Sequence, residues 1–98
     1  MTSSYAVVLA PQAEDDIRAA FLWYQDRNAR AADAFRAEVY AAIDSIALTP
    51  LGKSADQDGN RKRILRRYPY SVFYDVLGDT ITILAVAHHR LRPRYWNV

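Results

Sequence analysis

The sequence contains no cysteine, so it has no disulfide framework and no thiolate metal site, a composition that suits a reducing cytoplasm. No apolar run approaches the roughly 18 residues that span a bilayer, and no charged-then-apolar leader opens the chain. A soluble, cytoplasmic protein with no membrane partner is the expectation. Glycine-rich phosphate loops, zinc-ligand spacings and nucleophilic triads are missing as well, which excludes the enzyme classes that depend on them. No cofactor and no metal are expected. Repeats and low-complexity segments are absent from the 98 residues, of which 51% are hydrophobic. One domain over residues 1–98, with a single two-layer core, follows.

What is present is divided unevenly by charge. The overall charge of +2 combines four arginines against seven acids in residues 1–52, or −3, with nine basic residues against four acids in 53–98, or +5. The basic half therefore suits an anionic partner, either nucleic acid or an acidic protein segment. A solvated basic edge strand that resists aggregation is the bland alternative for Arg61, Lys62 and Arg63.

Hydrophobic periodicity assigns the elements. Residues 5–9 are short and β-branched and end at Ala10-Pro11, which reads as a strand that must join a larger sheet. From Pro11 onward Ala13, Ile17, Ala20, Phe21 and Tyr24 follow one helical face. Glu14, Asp15 and Asp16 suit the positive end of that helix and are read as solvated first-turn acids. Residues 26–30, with Asn28, break the pattern, and a second helix over about 31–48 carries Phe35, Val39, Ala42, Ile43 and Ile46 on one stripe. Thr49-Pro50-Leu51-Gly52 stops it, residues 53–60 form a polar loop, and residues 61–67 read as a basic strand around Ile64 and Leu65.

The end of the chain carries the strongest local signal. Residues 70–77 and 80–87 are apolar runs joined by Gly78-Asp79, the pattern of a two-residue hairpin. A regular register pairs Leu77 with Thr80 and runs back to Pro69 facing His88. Tyr70, Val72, Tyr74, Val76, Ile81, Ile83, Ala85 and Ala87 then share the covered face. His88 and Arg90 leave on the open face, and His89 points to the covered one. The whole is an α+β fold of order βααβββ, an antiparallel sheet with a two-helix hairpin packed on one face.

Candidate functional residues cluster in this half. Arg61, Lys62, Arg63, Arg66, Arg67, Arg90 and Arg92 can bind an anionic partner, and Trp96 and Tyr95 can close the core or stack on a base. If the chemistry is metal-free RNA cleavage, His88 or His89 serves as acid or base, Arg66, Arg67 and Arg90 hold the phosphate, and Tyr95 stacks or helps move a proton. The same arginines and tyrosine also serve a binding surface with no chemistry.

The βααβββ order, Arg67-Tyr68-Pro69-Tyr70-Ser71-Val72-Phe73-Tyr74, Ile81-Thr82-Ile83-Leu84-Ala85-Val86-Ala87-His88 and the closing Arg90, Pro93, Tyr95 and Trp96 resemble the RelE/ParE superfamily of type II toxins, most closely its ParE-like and plasmid-stabilisation branch. The resemblance implies a growth-inhibiting toxin neutralised by a cognate antitoxin that wraps it. ParE-like members poison DNA gyrase, whereas RelE-like members cleave mRNA on the ribosome. A detoxified antitoxin-binding domain is the third reading. The chain departs from the branch at His89, where a small residue is usual, at Leu91, where an Arg is usual, and at Ala10, where a Ser often caps the first helix.

Overall fold

The computed structural model describes residues 4–90. Its elements follow the expected order: β1 (Ala6–Leu9), α1 (Pro11–Gln25), α2 (Ala29–Leu48), β2 (Arg61–Ile64), β3 (Tyr70–Leu77) and β4 (Thr80–His88). Pro11 opens α1, where its missing N–H costs nothing, but Ala10 offers no side-chain cap. Asn28 caps α2 instead of merely interrupting the chain. Its Oδ1 accepts the N–H groups of Arg30 at 3.0 Å and Ala31 at 3.2 Å, which starts the helix at Ala29 rather than near residue 31.

Four strands form one sheet in the order β1-β4-β3-β2. The meander β2–β3–β4 is antiparallel, as expected. β1 joins the outer edge of β4 in parallel, pairing Val7 with Ile81 and Leu9 with Ile83, so the sheet is mixed rather than antiparallel throughout. A parallel neighbour requires a long crossover, and the two helices lie within it.

One face of the sheet meets the helices. Ala13, Ile17 and Ala20 of α1 and Phe35, Val39, Ile43 and Ile46 of α2 pack on Val72, Tyr74, Ile81, Ile83 and Val86. Phe21, placed on the α1 stripe by periodicity, is only partly buried.

The hairpin register differs from the regular one. Gly78 takes φ +59° in the turn, and Leu77 to Tyr74 pair with Thr80 to Ile83 as expected. Beyond that, Phe73 pairs with Ala85, so Leu84 is an extra residue in β4 and the ladder shifts by one. Val72 now faces Val86, and Tyr70 faces His88. Because side chains alternate, this bulge carries Val86 and His88 to the helix face and Ala85, Ala87 and His89 to the other. The expected positions of His88 and His89 are therefore exchanged.

β2 is also shorter than residues 61–67. The N–H groups of Arg66 and Arg67 turn away from the ladder to Glu38 of α2, which accepts both through Oε2, the second at 3.1 Å. The strand ends at Ile64 as a result.

Candidate functional site

The bulge and the end of α1 together make a groove of about 570 Å³. Ala19, Ala20, Trp23 and Tyr24 form one wall, Pro69 and Tyr70 the other, and Asp16, Val86, His88 and Arg90 complete it. Its surface is mainly apolar, and small alanines on α1 keep it open. Trp23 stands off the buried stripe of α1 and is 52% exposed, with the Arg27 guanidinium 3.7 Å above its ring.

Behind the groove lies an aromatic cluster. Tyr24 meets Tyr68 at 5.1 Å and Phe35 at 5.4 Å, Phe35 meets Tyr70 at 5.1 Å, and the Tyr68 hydroxyl donates to the Ala31 carbonyl at 2.9 Å. Burial raises the pKa of Tyr70 above the usual 10.0, with smaller upward contributions from Tyr24 and Asp16. Burial also raises Tyr24, and Tyr68 adds to it. Both are therefore neutral phenols near pH 7, able to donate a hydrogen bond but poor bases.

His88 sits edge-on to Tyr70, ring centroids 5.0 Å apart. Its Nδ1 accepts the backbone N–H of Arg90 at 3.0 Å, so the neutral ring carries its proton on Nε2. His89 lies across the sheet, its Nε2 3.1 Å from the Ser71 hydroxyl. Asp16, read from the sequence as a solvated first-turn acid, instead accepts the Val86 N–H at 2.9 Å through Oδ2, while Gln12 donates to its Oδ1 at 2.8 Å.

The basic residues separate by the same alternation. Arg61 and Arg63 pair with Tyr74 and Val72 and so face the helices. Arg61 Nε donates to the Lys53 carbonyl at 2.7 Å, and Arg63 Nη1 donates to Ser45 Oγ at 2.8 Å. Lys62, opposite Phe73, faces the other way and is exposed. Arg66 and Arg67 are exposed on the loop that Glu38 anchors. Of the sequence candidates among the described residues, only His88 and Arg90 line the groove; Arg92, Tyr95 and Trp96 lie outside the described residues. Trp23, Tyr24, Tyr70 and Asp16 were not singled out as site residues. An exposed Trp off the apolar stripe of α1 was the one available signal.

A second groove, of about 690 Å³, runs along the opposite flank of α1 between Leu9, Ile17, Phe21, Leu22 and Tyr40, with Glu14, Arg18 and Arg36 at its rim. No sequence candidate lines it.

Comparison with known proteins covers nearly the whole chain. A family model described as the ParE toxin of the type II toxin–antitoxin system parDE matches residues 7–93. The chromosomal ParDE toxin–antitoxin system from P. aeruginosa includes a chain of similar structure, with TM-score 0.78 and 19% identity over 89% of this chain and 98% of that one. A chain of the RelBE2 toxin–antitoxin complex from Mycobacterium tuberculosis gives TM-score 0.57 and 22% identity over 90% of this chain and 94% of that one. No curated protein sequence matches.

Proposed function

The chain belongs to the ParE toxin family of type II toxin–antitoxin systems, and from that premise we propose that it arrests growth by binding DNA gyrase, without cutting RNA, until a cognate antitoxin neutralises it. Its place of action is the cytoplasm, where gyrase and DNA are found. The observation that carries the choice of a binder is the separation of the two histidines. Metal-free RNA cleavage gathers a base, an acid and cations around one phosphate. Here His88 packs on Tyr70 with Nδ1 already occupied, and His89 bonds Ser71 on the opposite face. Arg66 and Arg67 stand on the loop before β3, and neither lines the groove.

A binding surface fits the same residues. Trp, Tyr and Arg dominate interface hot spots because they combine large contact area with a polar handle. Trp23, Tyr24, Tyr70, Arg27 and Arg90 meet that description at or beside the groove. The exposed Lys62, Arg66 and Arg67 suit an acidic antitoxin segment, and the short edge strand β2 can accept an added strand.

The test is induction of wild type, His88→Gln, His89→Gln and Arg90→Ala in growing cells, with message integrity and chromosome breakage followed together and gyrase supercoiling measured on purified protein. Gln keeps the size and hydrogen bonding of His, so both Gln variants should arrest growth nearly as well as wild type, and Arg90→Ala should lose most of the effect. Rapid message cutting that falls roughly 10²-fold in either Gln variant would make the chain a nuclease. No arrest by soluble wild type would make it a detoxified antitoxin-binding domain.

A further inference from the structure

β1 ends at Leu9, opposite Ile83, where the chain turns into α1. Among the described residues β4 continues to His88 with no strand beside it along that edge, so its backbone N–H groups there need another acceptor. Asp16 supplies one to Val86, although 70 residues separate them in the chain. The bond falls between Leu84, which shifts the register, and His88, which lines the groove. Gln12, one turn earlier in α1, holds the other carboxylate oxygen.

Register is a choice between two faces. With the Gly78-Asp79 turn unchanged, a ladder without the bulge would pair Ser71 with Val86 and Pro69 with His88. Val86 and His88 would then leave the helix face, and His89 would move onto it. Packing of Val86 in the core favours the bulged form. The Asp16 bond is the tie between α1 and the strand beyond the bulge.

We propose that Asp16 is a positioning residue, which holds β4 in its bulged register and so places His88 and Arg90, rather than His89, at the groove. That this groove is the working surface of the toxin rests on the function proposed above. The positioning role stands on the hydrogen bond and the register alone.

The experiment is nuclear magnetic resonance of the ¹⁵N-labelled full chain, as wild type, Asp16→Ala, Asp16→Asn and Gln12→Ala. Asp16→Ala should expose the Val86 amide, raising its exchange about 10-fold or more, and should weaken the contacts between the His88 and Tyr70 rings. Asp16→Asn keeps an acceptor oxygen and should restore both. Gln12→Ala alters only the exposed helix surface and should give an intermediate Val86 exchange rate, which preserves the test if Asp16→Ala does not fold. Wild-type Val86 protection and unchanged His88–Tyr70 contacts in a folded Asp16→Ala chain would overturn the proposal, as would wild-type exchange in Gln12→Ala where Asp16→Ala is unfolded. Growth arrest is measured beside the spectra and should fall in Asp16→Ala and recover in Asp16→Asn. Full arrest by an Asp16→Ala chain whose His88 has left the groove would support the positioning role and overturn the groove as the working surface.

Discussion

At the scale of single residues, adjacent cations on one short strand have different work. Arg63 turns inward and donates to Ser45 of α2, and its Nε and the Tyr74 hydroxyl are buried with no hydrogen-bond partner among the described residues. Lys62 turns outward into solvent. Arg63→Ala should therefore cost about 1–2 kcal/mol, from one hydrogen bond and lost packing. Lys62→Ala should stay within about 0.5 kcal/mol and act on antitoxin binding instead. Urea unfolding of both variants measures the first effect, and titration with the antitoxin measures the second. Equal midpoints for the two variants would mean that Arg63 is not a structural cation.

At the scale of elements, one carboxylate pins the start of the loop between β2 and β3. Glu38 accepts the N–H groups of Arg66 and Arg67 across 28 and 29 residues of chain, and this stops β2 at Ile64. Both bonds are exposed, so water replaces part of what is lost, and Glu38→Ala should destabilise the fold by only about 1 kcal/mol. The larger consequence falls on the loop. Amide exchange at Arg66 and Arg67 should rise well before global unfolding, because local opening no longer breaks a charge-assisted pair. Glu38→Gln retains one acceptor oxygen and should recover much of the protection. Exchange at Arg66 and Arg67 unchanged by Glu38→Ala would refute this account of the loop.

At the scale of the molecule, charge and buried phenols govern the response to solvent. The basic half, with Lys62, Arg66 and Arg67 exposed, should bind an acidic antitoxin segment more weakly as salt shortens the Debye length from ~8 Å at physiological ionic strength. Replacing those three residues by Ala should flatten the salt dependence, and affinity indifferent to both treatments would remove the electrostatic contribution. Tyr24, Tyr70 and Tyr74 all have pKa values raised above 10.0, each chiefly by burial; Arg63 and Arg61 partly oppose the rise at Tyr74. The folded state thus holds protons that the unfolded state releases first. Stability from these groups is complete below pH 10 and is lost as pH rises through the folded values. Melting temperature should fall steeply above about pH 10, with ionisation of these three phenols accompanying unfolding. Tyr70→Phe should blunt that fall.

The order of elements, the two helical stripes, the Gly78-Asp79 turn and the division of charge were legible in the sequence, because each is written in neighbouring residues through a period of 3.6 or 2 or a turn chemistry. The candidate site was legible only in part. His88 and Arg90 stood out as chemistry-bearing residues at a strand end, but counting by twos along β4 assumes that no residue is extra, and Leu84 is. One bulge reversed the faces of His88 and His89. Only the tertiary structure decided this, since the register depends on Val86 packing against the helices and bonding to Asp16, partners distant in the chain. The parallel pairing of β1 and the capture of the Arg66 and Arg67 amides by Glu38 were likewise invisible to local pattern. A backbone donor finds the nearest acceptor in space, and the folded chain sets which acceptor that is.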